Sequence, residues 1–309
     1  MKLNTNSNIY TIFYTTILVV IVAGVLAFAS TALKPKQQEN IALEKMQSLL
    51  RAARLGEDVS AQKNKSEYIK ALYSEHMTND FVLDYEGKVI EGEAFEIDLQ
   101  VQYNIIKKIA AAKTPEAART LREQLQLPVF VCTIGEKVLN IFPCYGPGLW
   151  GPVWGYIAVE DDFETIYGAV FDHKGETPGL GAEIAHAPFY NQFVGKKLSL
   201  EGAFKSISII KGGGQADNPN GVDAISGGTI TSQSLEQAIA MWLDEYQAYF
   251  NIKRAAIGSK ECCGEDCCGE EGCGEEHDHD QDGKVPCNGE NCSCKTGIRN
   301  HNGHEHQTK

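Results

Sequence analysis

Between Leu3 and Leu33 the chain carries no charged residue, and Ile17 to Ala29 reads ILVVIVAGVLAFA. A helix from Ile9 to Ala29 would be about 31 Å long at ~1.5 Å per residue, which matches a hydrocarbon core of ~30 Å. Ala27-Phe28-Ala29 has the form of a signal-peptidase site. Against cleavage, the n-region offers only Lys2, and the uncharged run exceeds the 7–15 residues usual for a signal h-region. The pattern therefore favours a retained anchor. Lys2 and the amino terminus on one side stand against Lys34 and Lys36 on the other, so local charge assigns no orientation.

An anchored chain of 309 residues leaves room for one large domain or two modest ones outside the membrane. The net charge of −13 disfavours nucleic acid as a partner. That charge is uneven. From Lys260 to Lys309 there are 12 acids and 5 bases, with eight of the ten cysteines and five of the eight histidines. The remaining cysteines, Cys132 and Cys144, fall in a β-hairpin pattern that permits a bridge without demanding one, so no disulfide framework supports the body. The expected organisation is a short segment 1–8, a transmembrane helix 9–33, a folded domain 34–257, and a disordered acidic Cys/His-rich tail 258–309.

Within the domain, Ala42, Met46, Leu49 and Ala53 recur at helical spacing, and Ser60 to His76 continues helical. Phe81–Leu83 and Val89–Ile90 suggest a short hairpin about Glu86-Gly87. Residues 99–126 read as helical, rich in Ala, Lys, Arg, Glu and Leu. PVFVCTI and KVLNIF flank Gly135-Glu136 as a second hairpin, and Trp154–Glu160 with Thr165–Phe171 form a third pair. Lys205–Ile210 adds a strand, and Leu235–Phe250 a closing helix. Helices on either side of a run of adjacent strands predict an α+β fold with a mainly antiparallel sheet.

Three loop segments carry the chemistry. DAISGGTITS (223–232) places Asp223, Ser226, Gly227, Gly228 and Thr229 ahead of a helical pattern, with Ser232 or Ser234 as its expected cap. The glycines alone would fit a simple turn, yet a glycine-bearing loop at a helix N-terminus also suits a phosphate. GETPGLGAEI (175–184) is a loop of fixed shape, with Glu176 and Thr177 offering an acceptor and a donor at its mouth. CYGPGLWGPVWGY (144–156) sets small or kinked positions among aromatics, which either pack or sandwich a flat ring. His173 and His186 have no serine or cysteine in triad spacing, and read as ordinary loop histidines.

Taken in order, GPGLWG, GETPGLG and DAISGGTITS resemble the C subunit of the sodium-translocating NADH:quinone reductase, over roughly residues 8–255. The G subunit of the Rnf complex, a ferredoxin:NAD oxidoreductase, is a related alternative; it shares the second and third segments but lacks the first in this form. The resemblance implies an FMN-binding domain whose FMN is joined by a phosphoester to Thr229, installed by a flavin transferase from FAD. In the family motif Asp223, Ser226 and Gly227 align, and Gly228 stands where alanine is usual. It further implies non-covalent contacts from Glu176, Thr177, Leu180, Gly181 and Trp150, with Asp223 serving transferase recognition or ordering its loop. The implied setting is a bacterial inner membrane, with the domain on the periplasmic side. There the flavin would relay electrons singly between a membrane iron centre and the flavin of the B subunit, coupled to sodium export. The A, B, D, E and F subunits are the implied partners, above all B, D and E, and the isolated chain is expected to show no turnover. A reading of a different class makes the protein a membrane-anchored metal-binding module acting through Cys262, Cys263, Cys267, Cys268 and Cys273 of the tail. Those cysteines are too closely doubled for a standard zinc finger.

Overall fold

The computed structural model describes residues 8–200 and 202–261. Helix α1 spans Asn8–Ala52 in one piece. Its apolar half is long and apolar enough to cross a membrane, and none of the residues in that span is buried. The sequence pattern separates an anchor ending at 33 from an amphipathic helix near 42, but the two are continuous, with Pro35 inside. Proline removes one backbone donor, yet the residues after it (Lys, Gln, Glu, Ala, Leu) are strong helix formers that carry the turn onward. The helix ends where Leu55 N–H donates to Leu50 C=O and Arg54 N–H to Arg51 C=O. This is a Schellman closure, with Arg54 at φ 59° where glycine is usual.

Helix α2 (Lys65–His76) leads into strands β1 (Met77–Leu83) and β2 (Val89–Ile90), the expected first hairpin. The helical stretch 99–126 holds two helices, α3 (Leu99–Ala110) and α4 (Pro115–Arg122). Thr114-Pro115 divides them. Proline disfavours helical backbone at the residue before it, and the Thr114 hydroxyl accepts from Ala117 N–H to cap a new helix. Strands β3 (Leu127–Ile134), β4 (Lys137–Pro147), β5 (Pro152–Val159) and β6 (Ile166–His173) follow as an antiparallel meander. They complete a six-stranded sheet in the order β2-β1-β3-β4-β5-β6.

Alternation along these strands gives the sheet two buried faces. Phe130, Ile141, Tyr156, Ala158 and Val170 face Leu49, Ala52 and Ala53 at the end of α1. Phe142 points the other way and meets Tyr246 and Phe250 edge-on, at 4.8 and 4.9 Å between ring centroids. The fold is thus α+β, an antiparallel sheet between helices, as the strand order predicted. Cys132 and Cys144 are both free and buried, and burial raises the Cys144 thiol to about 12.

After β6 come α5 (Ala187–Tyr190), the pair β7 (Ser199–Leu200) and β8 (Ala203–Phe204), and the parallel pair β9 (Ser208–Ile210) and β10 (Gly221–Asp223). Helices α6 (Thr229–Glu245) and α7 (Gln247–Glu261) close the described chain. A second unit begins at Ile252, and its described part is helical. Of the expected tail 258–309, the first four residues end α7, and the rest from Cys262 onward, with its five candidate ligands, lies outside the described residues. Among the described residues no group of three His, Cys, Asp or Glu side chains could hold a metal ion.

Candidate functional site

The β4–β5 turn is four residues long, closed by Gly148 N–H donating to Gly151 C=O at 2.7 Å. So short a turn directs its side chains outward, and Trp150 is 70 % exposed, beside the exposed Leu149. The second loop leaves β6 at His173, whose Nδ1 accepts from Glu176 N–H. Glu176 then folds inward. It is 4 % exposed, and its carboxylate accepts from Trp150 N–H at 2.9 Å and from the Thr231 hydroxyl at 2.6 Å. One buried carboxylate therefore joins the aromatic turn, the ETPGLG loop and the first turn of α6. A buried polar group needs such partners to offset its lost hydration.

Gly181 stacks directly on this junction. A Cβ there would lie 2.4 Å from Thr231 Oγ1 and 2.5 Å from Glu176 Oε2, so only glycine fits. In the third loop, Gly227 takes φ 76° and lies against Leu180, whose Cδ2 would be 2.5 Å from an added Cβ.

Helix α6 begins at Thr229, six residues earlier than the pattern at Leu235 suggested. Gly228 is its N-cap and supplies no side-chain hydrogen bond. The expected capping by Ser232 or Ser234 is not what the structure builds. Ser232 is instead fully buried in the first turn, and its Oγ accepts from Ile225 N–H. Helical periodicity misled here because Thr229 to Ser234 are mostly hydroxyl residues that carry no apolar signal. The first-turn N–H groups of an uncapped helix have no intrahelical partner and point at whatever lies before it.

Between the three segments lies a cleft of about 460 Å³. It brings together seven of the residues read from the sequence: Trp150, Thr177, Leu180, Gly181, Gly227, Gly228 and Thr229. Three others do not line it. Glu176 is the buried junction behind the wall rather than an acceptor at the mouth. Ser226 is exposed. Asp223 is half-buried and accepts from Gln215 N–H at 3.0 Å, so it orders the β9–β10 loop. Gly228 is buried against Ile225 and the Gly181 backbone, so its missing side chain makes room for neighbouring chain more than for an approach route.

Sequence reading missed Leu149, Ile230 and Thr231, which also line the cleft. Thr231 had one legible signal: an acid in a glycine-rich loop needs a buried donor, and the hydroxyls after Gly228 were the candidates. The two first-turn threonines differ sharply. Thr231 is 1 % exposed and donates its hydroxyl proton to Glu176. Thr229 is partly exposed at the cleft, and among the described residues its hydroxyl has no hydrogen-bond partner.

The donor set suits a phosphorylated, flat ligand. No basic side chain lines the cleft, so a phosphate there would meet the α6 N-terminus. Trp150, Leu180 and Ile230 offer apolar surface to a ring. Residues 148–244, which contain the β4–β5 turn and the second and third loops, match the FMN-binding domain family. The C subunit of the Na(+)-translocating NADH-quinone reductase of Haemophilus ducreyi is 30 % identical over 78 % of this chain and 91 % of its own length. The Vibrio anguillarum C subunit is 28 % identical, over 79 % and 94 %. Among solved structures, the Parabacteroides distasonis C subunit is 36 % identical, with a TM-score of 0.58 over 71 % of this chain and 96 % of that one. Shewanella oneidensis NqrC is 27 % identical, with a TM-score of 0.54 over 69 % and 97 %. On this sequence and structural likeness, the chain belongs to the family of C subunits of the Na(+)-translocating NADH-quinone reductase.

Proposed function

We propose that this chain is the covalent-FMN electron carrier of a sodium-translocating NADH:quinone reductase, with the cofactor's phosphate esterified to Thr229 Oγ1. One observation carries the proposal: Thr229 is the first residue of an uncapped helix, its hydroxyl is unpartnered among the described residues, and it opens on a cleft shared by the three motif loops. Thr231, two residues on, is committed to Glu176 and is disqualified as the attachment point. Ser232 is buried, and its Oγ accepts from Ile225 N–H.

When bound, FMN supplies reversible electron transfer, which suits single-electron relay between a membrane iron centre and the flavin of the B subunit. The chain's own groups bind and orient. The α6 N–H groups and helix dipole stabilise the remaining phosphate charge. Trp150 and Leu180 would offer apolar surface to the ring, and Glu176 ties the Trp150 turn and its own loop to the first turn of α6. No protein acid or base needs to move a proton for this task, and the cleft lining contains none.

The apolar half of α1 supports an inner-membrane anchor, and the proposed setting places the domain on the periplasmic side. Partners on this reading are the A, B, D, E and F subunits, with B, D and E nearest, and a flavin transferase during maturation. Partial exposure of Thr229, next to the exposed Gly227 and Ile230, leaves the hydroxyl reachable by such an enzyme. The test is the intact mass of the purified chain followed by peptide mapping. An added FMN moiety on the peptide containing Thr229 is expected, and Thr229→Val should abolish flavin fluorescence in denaturing gels. Fluorescence that survives in the variant refutes the assignment.

A further inference from the structure

A second cavity, of about 510 Å³, lies away from the flavin cleft, where the end of α1 meets β6 and α5. Two arginines line it, Arg51 and Arg54. Arg51 is held in place: its Nη2 donates to the Tyr190 hydroxyl at 2.9 Å, and the group lies over the Tyr190 ring at 5.5 Å. Arg54 stands over Tyr167 at 5.9 Å. Among the described residues neither forms an ion pair. Asn191 and Ser60 add neutral donors, and Glu57 is the one acid in the lining. Arg54 also keeps a left-handed backbone at φ 59°, a position where glycine or asparagine would be less strained.

We propose that this cavity is a binding site for a small multivalent oxyanion, bearing phosphate or clustered carboxylates, distinct from the flavin site. Two arginines without ion pairs, one of them fixed by Tyr190, with amide and hydroxyl donors in the same lining, are a donor set matched to such an anion. The volume falls in the range of small-molecule sites. Membrane phospholipid is excluded by distance. Arg51 lies 18 residues beyond Leu33, about 27 Å along the helix, whereas the headgroup zone extends only ~5–8 Å beyond the hydrocarbon core. The site is also concave and polar, which favours a small ligand over the flat face of a partner protein.

The test uses the full-length, flavin-loaded chain in detergent, with inorganic phosphate and citrate as probes and chloride at matched ionic strength as control. Phosphate or citrate should raise the midpoint of thermal unfolding by about 3–6 °C at tenfold above Kd, and chloride should not. Arg51→Gln with Arg54→Asn should erase the shift while leaving covalent flavin intact. Asparagine tolerates the left-handed backbone, and the retained flavin reports folding. Arg51→Lys with Arg54→Lys should keep part of the shift. A shift of equal size in the Gln/Asn variant, or with chloride, overturns the proposal as an adventitious ion only. Vesicles of anionic phospholipid that bind through these arginines would overturn the exclusion of lipid. No response to either probe overturns the proposal, and loss of complex assembly in the Gln/Asn variant would then reassign the cavity to an acidic side chain of a partner protein.

Discussion

Replacing Thr231 by valine tests the junction behind the flavin cleft. Valine has nearly the shape of threonine, so the change removes one hydrogen bond with little change of packing volume. That bond is short, 2.6 Å, and it runs to a carboxylate that is 4 % exposed. Hydrogen bonds to charged groups contribute about 1.5–3 kcal/mol, and Glu176 would be left with Trp150 N–H as its remaining side-chain-directed donor. Thr231→Val should therefore cost about 2–3 kcal/mol. For a body of this size that lowers the unfolding midpoint by roughly 4–12 °C. Glu176→Gln should cost less, because a neutral amide can accept from Trp150 N–H while its NH₂ donates to the Thr231 oxygen. The double variant completes a cycle, read by denaturant unfolding of the full-length chain in detergent, with covalent flavin measured in parallel. Non-additivity above about 1 kcal/mol is expected for groups in direct contact. Flavin should remain attached in Thr231→Val, since Thr229 is untouched. Additivity within ~0.3 kcal/mol would refute the claim that one carboxylate ties the three loops together.

Other substitutions probe the same architecture from different sides. Gly181→Ala drives a methyl into Thr231 and Glu176, and should cost about 1–3 kcal/mol and reduce flavin incorporation measured by absorbance per mole of protein. Gly228→Ala, by contrast, places its methyl 3.0 Å from Ile225 Cγ2 and should change stability by less than about 1 kcal/mol with full flavin loading. Lys196 is buried and its Nζ donates to the carbonyls of Gln215, Ala216 and Asn218. Lys196→Met should free that loop and speed limited proteolysis near Gly212–Gly214 several-fold. Burial raises the Cys132 thiol to about 11 and the Cys144 thiol to about 12, from an ordinary 9.0. The fold holds these protons where the unfolded chain releases them. Their contribution is complete below pH 9 and is lost as the pH climbs toward 11–12, so the denaturation midpoint should fall over that window and fall less in Cys144→Ala.

Much of this protein was legible before any tertiary structure. The charge-free run marked the apolar half of α1, because a hydrophobic length is a one-dimensional property. The β3–β4 and β5–β6 pairs followed from alternation and from turns at Gly135 and Asp161-Asp162, which are local. The three loops could be picked out because glycine, proline and aromatic residues in loops carry their own conformational meaning. Tertiary structure decided what spacing cannot express. Strong helix formers around Pro35 fused two helices that the pattern separated. The start of α6 depended on Gly228, not on apolar periodicity. Above all, Glu176 and Thr231 lie 55 residues apart in sequence, and burial made them partners. That pairing, which leaves Thr229 with an unoccupied hydroxyl, arises only when three loops converge on one low-dielectric point.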